Sequence, residues 1–257
     1  MKKLGKQGFT LIEILVVMAI LAVLAMLIVG AIILAREQAR MTQATNFAHG
    51  VESSMKDSTL GHWSFNENSG STTKDDWGNN NITVESPGKV GTWVQGMNGT
   101  SAYQFSGTGW VVSSLSNPVG PVKTIAFWFR LPNTTDLDGT FISTLDSSSV
   151  TEDAAGNFGT TSPQSYGNKF CPSSPTNIWS DSSFIVKDDS WHYYTMSKNV
   201  DTKICLDGNC KTFTTPDPAS TIKTAYALDF NGAGGCGWGQ FTQGIIIDDL
   251  ALYSKAF

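Results

Sequence analysis

The feature that most constrains the fold is an uncharged apolar run near the amino terminus. Ile14–Ala35 are 22 residues without a charge. As a helix rising ~1.5 Å per residue, this run is about 33 Å long, enough to cross a hydrocarbon core about 30 Å thick. Lys2, Lys3 and Lys6 precede it with no acidic residue among them, which places the amino terminus on the cytoplasmic side. We predict one membrane-spanning helix with everything after Arg36 outside.

Glu13 lies at the edge of this run and separates three interpretations. A secretory signal peptide has a shorter apolar stretch of about 7–15 residues and an Ala-x-Ala-like cleavage site. A plain membrane anchor fits the length but gives the carboxylate no purpose. A carboxylate inside a membrane helix costs ~2.5–3.5 kcal/mol, and such residues are usually functional. The third interpretation gives the carboxylate a purpose and rests on the residues around it.

The stretch Gly8-Phe9-Thr10-Leu11-Ile12-Glu13, which follows a basic leader, resembles the class III leader of type IV pilins and pseudopilins. The resemblance implies that a prepilin peptidase cuts between Gly8 and Phe9 and methylates the new amino terminus. It also implies that Glu13 pairs with the terminal ammonium of a neighbouring subunit, where low dielectric makes a mispaired register costly. The expected partners are other pilin subunits, the peptidase and the membrane.

Helical periodicity continues past the apolar run. Five apolar residues at i, i+3, i+4, i+7 and i+11 form one helix face: Ala44, Phe47, Ala48, Val51 and Met55. We therefore divide the chain into a leader (1–8), a transmembrane and assembly helix (9–57) and a head (58–257).

After about residue 60 the pattern changes to short alternating runs bounded by Gly, Asn, Ser and Asp, which predict strands. The predicted strands are His62–Asn66, Ala102–Phe105, Trp110–Ser114, Thr124–Leu131, Phe184–Lys187, Trp191–Ser197, Thr202–Leu206, Cys210–Thr214 and Gly244–Tyr253. Many short strands separated by turns predict an all-β sandwich or jelly roll. Glu152-Asp153 lies in a Ser/Thr/Gly-rich stretch and is predicted to be a solvated loop.

A series of blocks in the head resembles laminin G-like, concanavalin A-type jelly rolls. The blocks include His62-Trp63-Ser64-Phe65-Asn66-Glu67, Asp75-Asp76-Trp77-Gly78-Asn79-Asn80, Ala102-Tyr103-Gln104-Phe105, Trp191-His192-Tyr193 and Ile247-Asp248-Asp249-Leu250-Ala251-Leu252-Tyr253. The resemblance implies two antiparallel sheets packed face to face, with the strands around Trp63 and Leu250 as neighbours. The predicted fold class is α+β: a long amino-terminal helix, membrane-embedded in its first half, followed by an all-β jelly-roll sandwich.

The four cysteines indicate whether the head lies in an oxidising or a reducing compartment of the cell. Cys205 and Cys210 flank an Asp-Gly turn that pairs them across a hairpin, with Cα atoms ~4.5 Å apart and close enough to bridge. Four cysteines allow three connectivities, of which we favour Cys205–Cys210 with Cys171–Cys236. A zinc site and free thiols are the alternatives. Disulfides agree with a head outside the cytoplasm.

Relatives of the jelly-roll family often bind calcium or sugars. Asp75, Asn79 and Asp248 match oxygen-rich positions near the meeting of the first and last strands, and backbone carbonyls would have to complete the 6–8 oxygens of calcium. Capping of Asx turns is the alternative role. The glycine-rich loop before Trp238 presents this side chain as a sugar-stacking platform, with core cover or loop anchoring as the alternative.

The sequence contains no pattern that indicates catalysis or nucleic-acid binding. The Glu-x-Asp-x-x-Glu pattern of related glucanase folds is absent, and His192 between Trp191 and Tyr193 is expected to be a hydrogen-bonded structural histidine. Net charge is −5, and no basic cluster follows residue 40, so nucleic acid is not an expected partner. We expect no enzymatic activity.

The sequence therefore predicts a type IV pilin-like structural subunit, cut by prepilin peptidase and assembled into a pilus or pseudopilus that displays a jelly-roll head. The alternative is a minor, tip-located adhesin whose head binds glycan or protein ligands. The precursor is expected in the inner (cytoplasmic) membrane and the mature chain in an extracellular filament. No cofactor is required, and calcium is the one candidate ion.

Overall fold

The computed structural model of the chain forms two compact units, Met1–Gln43 and Ala44–Phe257, and we call the second the head unit. The described residues are 10–84, 91–97, 99–105, 111–132, 139–140, 142–145, 152–154, 157–158, 186, 189–199, 201–213, 225–230 and 245–257. Five residues with predicted roles lie outside them: Gly8, Phe9, Cys171, Cys236 and Trp238.

The single long helix predicted from the apolar run is confirmed. Helix α1 spans Leu11–Met55, a segment without proline, whose absence lets the backbone hydrogen bonds run uninterrupted. A 3₁₀ turn, Lys56–Ser58, ends it. There the Ser58 hydroxyl donates to the Met55 carbonyl (2.7 Å) and the Thr59 hydroxyl to the Lys56 carbonyl (2.9 Å). These bonds satisfy carbonyls that have no partner within the helix.

The helix is long and apolar enough to cross a membrane, by length and composition. The large apolar side chains between Leu11 and Leu34 are exposed. An apolar surface of this extent is stable in lipid or against other helices but unfavourable in water.

Sixteen strands follow in the described part of the chain. They are β1 Thr59–Trp63, β2 Thr72–Thr73, β3 Ile82–Val84, β4 Thr92–Gln95, β5 Ser101–Phe105, β6 Val111–Val119, β7 Thr124–Arg130, β8 Gly139–Thr140, β9 Ile142–Leu145, β10 Glu152–Ala154, β11 Asn157–Phe158, β12 His192–Lys198, β13 Thr202–Leu206, β14 Asn209–Phe213, β15 Ala225–Phe230 and β16 Ile245–Tyr253.

The strands form two large antiparallel sheets. The first has the order β14-β13-β12-β7-β16-β5-β4, with β1 also paired to β16. The second has the order β10-β9-β15-β6-β3-β2, and β8 and β11 form a small separate pair. The predicted sandwich is confirmed, and so is the neighbourhood of its first and last strands, since Trp63 pairs with Leu250.

The core lies between the two sheets. It contains alternate residues of β7 (Ile125, Phe127 and Phe129) together with Ile82, Leu115 and Leu228 from the second sheet. β-branched and aromatic side chains favour strands because they fit a pleated, half-buried surface. The period-two pattern of the sequence therefore identified the inward face of β7 correctly.

The end of α1 covers the outer face of the first sheet within the head unit. Ala44, Ala48, Val51 and Met55 are buried, and the Phe47 ring lies 6.0 Å from Tyr193 and 5.5 Å from Phe257. The predicted apolar helix face is therefore a packing face. Because the helix covers it, β7 is buried on both sides from Thr124 to Phe129.

Two predictions about strands were wrong in detail. The first strand begins at Thr59 and ends at Trp63, before Ser64 and Phe65. Glu152 and Asp153 belong to strand β10, where Glu152 pairs with Leu145 and Asp153 with Thr144. Backbone pairing with a neighbouring strand overrides the weak strand propensity of this segment.

The last strand changes partner halfway along. The first part of β16, from Ile245 to Ile247, pairs with β5, and the part from Leu250 onward pairs with β1. The register against β7 shifts between Asp248 and Ala251, and Asp249 has φ +54°. Bulges of this kind redirect side chains, and this one sends the side chains of Asp248 and Asp249 to different elements.

Candidate functional site

Glu13 caps the amino terminus of α1. Its carboxylate accepts hydrogen bonds from the Thr10 backbone N–H (2.7 Å) and the Thr10 hydroxyl (2.9 Å). In return the Glu13 N–H donates to the Thr10 hydroxyl oxygen (3.4 Å) as well as to the Thr10 carbonyl (3.1 Å). This is a capping box, for which Thr-x-x-Glu is the sequence signature, and sequence reasoning missed it. Glu13 therefore faces the start of the helix, next to the residue that cleavage after Gly8 would make the amino terminus.

His62 is the centre of a polar cluster at the junction of β1 and β16. Its Nδ1 lies 3.1 Å from Oδ2 of Asp76, and its Nε2 lies 2.8 Å from Oδ1 of Asp249. A neutral imidazole has one N–H donor, whereas an ionised carboxylate only accepts. Two such contacts together therefore require the doubly protonated imidazolium.

The environment of His62 agrees with that charge. Burial on its own lowers the pKa of His62, but the hydrogen bond and charge of Asp249, together with those of Asp76, outweigh it and raise the pKa above its ordinary value. The side chain is 12% exposed, so these partners are poorly screened by water.

The loop after β2 is organised by Asp75. The Asp75 carboxylate accepts backbone N–H groups from His62 (3.1 Å), Trp77 (3.2 Å) and Asn80 (3.2 Å). Asp75 therefore has the turn-capping role that the sequence analysis gives as the alternative to calcium binding. Asn79 is exposed on the same loop.

Trp77 lies on top of His62. The two rings are stacked, with centroids 4.3 Å apart and planes 8° apart. Trp77 is nevertheless 42% exposed. Beside it is a cavity of about 220 Å³ lined by Lys56, Thr59, Leu60, Gly61, Asp75, Trp77 and Gly78. The sequence predicts no separate role for Trp77, which belongs there only to a block of the jelly-roll resemblance. Neither the stack on His62 nor the cavity can be recognised from the order of residues along the chain.

Asp248, the residue before the bulge, is buried and 5% exposed. Its Oδ2 accepts the Met97 backbone N–H at 3.0 Å. Burial, helped by the charge of Asp249, raises the pKa of Asp248 to about 7, although the bonds from the Met97 and Asp249 backbones oppose this. Asp248 thus ties the β4–β5 turn to β16.

The oxygens of two predicted calcium ligands accept hydrogen bonds from backbone N–H groups. The Asp75 oxygens are occupied by N–H donors, and the Asp248 oxygen is occupied by the Met97 N–H. Within the described ranges, no group of three His, Cys, Asp or Glu side chains is arranged to hold a metal ion. Calcium at Asp75, Asn79 and Asp248 remains a prediction without support from these contacts.

The hairpin between β13 and β14 follows its prediction. Cys205 pairs with Cys210 and Leu206 with Asn209. A disulfide joins Cys205 and Cys210, whose Cα atoms are 4.0 Å apart. Asp207 and Gly208 both have positive φ, as an Asp-Gly hairpin turn requires. The partner bridge, Cys171–Cys236, stays a prediction.

Asp207 has a second role that sequence reasoning missed. Its Oδ2 lies 2.8 Å from His192 Nδ1, and its Oδ1 accepts the Tyr193 N–H at 2.9 Å. His192 is buried, so it is the hydrogen-bonded structural histidine that was expected. The turn residue thus anchors the neighbouring strand β12.

The amino terminus matches a known family model. Residues 3–35 match the prokaryotic N-terminal methylation motif, which is the motif of type IV pilins. The chain therefore combines a pilin-type amino terminus with a β-sandwich head. The comparison with curated proteins found no match.

Solved structures similar to the chain are β-sandwich domains. Domain 4 of the extracellular arabinanase AbnA of Geobacillus stearothermophilus, in complex with arabinotriose, has a TM-score of 0.51 at 17% identity, with 78% of this chain and 94% of that chain covered. The binding domain of botulinum neurotoxin DC, in complex with rat synaptotagmin II, has a TM-score of 0.53 at 14% identity, with 79% and 49% covered.

A third similar structure is Trypanosoma rangeli sialidase in complex with the inhibitor DANA, with a TM-score of 0.51 at 11% identity. It covers 77% of this chain, which spans 31% of the sialidase. At these identities the likeness shows the fold alone, a jelly-roll sandwich.

Proposed function

We propose that the chain is a type IV pilin-like subunit that is cut after Gly8, methylated at Phe9 and polymerised through its amino-terminal helix, so that the jelly-roll head is displayed outside the cell. The observation that carries this proposal is the match of residues 3–35 to the methylation motif. The exposed apolar surface of α1 supports it, because lateral packing of such helices removes that surface from water.

The capping box gives Glu13 two successive tasks. Cleavage after Gly8 makes Phe9 the new amino terminus, one residue before the Thr10 group that Glu13 already binds. In a filament, the carboxylate then pairs with a terminal ammonium on a neighbouring copy. An unpaired charge in an apolar bundle is strongly unfavourable, so only registers that bring the two groups together are stable.

Three variants separate capping from charge pairing. Glu13→Gln keeps an acceptor for Thr10 but removes the charge, and we expect it to insert and be cleaved but to form few or no filaments. Thr10→Ala removes the hydroxyl of the cap but keeps the charge, and is expected to assemble. Glu52→Gln, which removes a carboxylate from α1 beyond the apolar run, is the matched control and is expected to assemble. Normal filaments from Glu13→Gln, scored by electron microscopy, would refute charge pairing.

The localisation follows from the same proposal. The precursor lies in the cytoplasmic membrane with its amino terminus inside and its head outside, and the mature chain lies in a surface pilus or secretion pseudopilus. The Cys205–Cys210 disulfide supports a head outside the cytoplasm, since such bonds persist in oxidising compartments. The proposed partners are other pilin subunits and the prepilin peptidase. The pilin-type motif favours a structural subunit over an enzyme.

A second candidate function is adhesion by the head of a minor, tip-located subunit. Two of the similar structures hold arabinotriose and synaptotagmin II, which are a glycan and a protein. The exposed Trp77 beside a cavity favours this candidate over a purely architectural head. A rise in melting temperature of the full chain with a glycan would support it. A rise with calcium that Asp75→Asn abolishes would support the calcium prediction.

A further inference from the structure

The head unit exposes one large apolar side chain among its described residues. That side chain is Trp77, 42% exposed, whereas the other exposed large apolar residues belong to α1 before residue 35. An isolated exposed aromatic is common on protein surfaces. Trp77 differs because it lies beside a cavity and because the groups around it hold it in place.

Hydrogen bonds and stacking fix the position of Trp77. Its backbone N–H donates to Asp75, and its ring is stacked on His62. His62 is in turn held at both ring nitrogens by Asp76 and Asp249. A platform ordered in this way loses little conformational entropy when a ligand binds.

The cavity beside Trp77 has the composition of a small polar-ligand site. Its volume is about 220 Å³. Lys56, whose side chain has an ammonium with three donors, is one of its lining residues, and so are Gly61 and Gly78. Small-molecule sites combine an aromatic or apolar wall with a few polar groups that fix orientation.

The charges that line the cavity cancel. Its two charged residues are one cation, Lys56, and one carboxylate, Asp75. A neutral ligand therefore fits this lining better than an anion, for which the Asp75 carboxylate is a like charge, and like-charge juxtaposition is costly. A sugar ring without a carboxylate has an apolar C–H face for the tryptophan and hydroxyls for the polar rim.

We propose that Trp77 and the adjoining cavity lined by Lys56, Thr59, Leu60 and Gly61 form a binding site for a neutral sugar ring stacked on the indole. This inference rests on the displayed head of the proposed function and gives its adhesion candidate a site and a ligand class. It does not depend on Trp238 or on calcium.

The test uses the full chain in detergent micelles on a glycan array that carries matched neutral and sialylated oligosaccharides. We expect neutral glycans to bind and their sialylated counterparts to bind less. For the strongest neutral glycan, Trp77→Ala should weaken the affinity at least about tenfold, since truncation of a tryptophan at the centre of a binding site commonly has an effect of this size or more. Lys74→Ala, an exposed residue on the same loop outside the cavity, is the matched control and should bind as the parent does.

A second measurement remains valid if Trp77→Ala folds poorly. The indole N–H resonance of Trp77, identified as the signal missing from Trp77→Phe, should shift when the neutral glycan is added to the parent chain. The proposal is overturned if no neutral glycan binds, if Trp77→Ala binds as the parent does, or if this resonance does not move.

Filament formation is scored in parallel. Trp77→Ala filaments should be as abundant as those of the parent, and their loss would make this face a contact between subunits instead of a sugar site. Absence of filaments from the parent chain itself would count against the proposed pilin function and not against the sugar site. The two failures are therefore distinguishable.

Discussion

His62 Nε2 and Asp249 Oδ1 lie 2.8 Å apart and join the first strand of the sandwich to the last. Asp249 can reach His62 because the bulge in β16 gives it φ +54°. On the other side of the imidazole, Asp76 binds Nδ1, so that one ring connects β1, the loop after β2 and β16. The groups nearest to His62 are mostly acidic: Asp75, Asp76 and Asp249. Glu52 of α1 lines a second cavity together with His62, separate from the one beside Trp77.

The first prediction concerns the pH dependence of stability through His62. Its folded-state pKa is raised, so its contribution is fully present below the unfolded value and is lost as pH rises through the folded value. We expect His62→Gln to lower the free energy of unfolding by roughly 1–3 kcal/mol at pH 6 and by less at pH 8.5. Thermal denaturation of the full chain in detergent at both pH values measures this.

The control for that experiment is His49→Gln. His49 lies on the same side of the head unit, but its side chain is 74% exposed and its distance to Glu52 is 4.0 Å. Exposed pairs of this kind contribute little, so the melting temperature should stay unchanged at both pH values. An equal loss of stability from His62→Gln at pH 6 and pH 8.5 would contradict the imidazolium assignment.

The second prediction concerns Asp248. Its folded pKa is raised to about 7, so the folded state holds the proton more tightly than the unfolded state and stability falls as pH rises through 4 to 7. Asp248→Asn keeps an oxygen for the Met97 N–H and removes the buried charge. At pH 8 we expect this variant to unfold at a higher temperature than the parent. Its free energy of unfolding should exceed that of the parent by an amount on the order of a few kcal/mol.

At pH 4 the two proteins should be nearly equal in stability, because Asp248 is then protonated in the folded state. The control is Asp201→Asn, because Asp201 is only partly buried. Asp189→Asn would be unsuitable, because Asp189 binds Arg130. A parent that is no less stable at pH 8 than Asp248→Asn would show that the carboxylate is well accommodated.

The third prediction concerns the Cys205–Cys210 bridge. It closes a loop of six residues, for which the chain-entropy relation gives about 2 kcal/mol. Replacing both cysteines by alanine should lower the free energy of unfolding by no more than this, because the Asp-Gly turn and the β13–β14 pairing remain. Chemical denaturation in detergent measures the difference. Loss of the folded head from this double variant would mean that the bridge, and not the turn, determines the hairpin.

Local signals made several features predictable. The hairpin followed from Asp-Gly between two cysteines, and the helix face from the spacing of Ala44, Ala48, Val51 and Met55. The inward face of β7 was predictable because apolar side chains alternate along it with a period of two. Each of these signals lies within about a dozen residues, so a single sequence contains enough information to identify it.

The candidate sugar site was not predictable in the same way. His62 and Asp249 are distant in sequence, and their contact depends on the bulge in β16. Trp77 became distinctive only through its stack on His62 and its exposure. Strand β10 was missed for a related reason, since Glu152 and Asp153 are in a strand because β9 is beside them. In both cases the structure depends on contacts between residues distant in sequence, which local propensity does not indicate.

The central claim, a pilin-type amino terminus that is processed before assembly, is tested most directly by the intact mass of the native protein extracted from membranes or filaments. The chain has a mass of 27.7 kDa over 257 residues, which is about 108 Da per residue (27.7 kDa ÷ 257), so removal of eight residues lowers the mass by about 0.9 kDa. We predict that loss, offset by the gain of one CH2 unit from methylation. For Gly8→Val we predict the full-length mass. A native protein that retains its first eight residues, without a methyl group, would contradict the account.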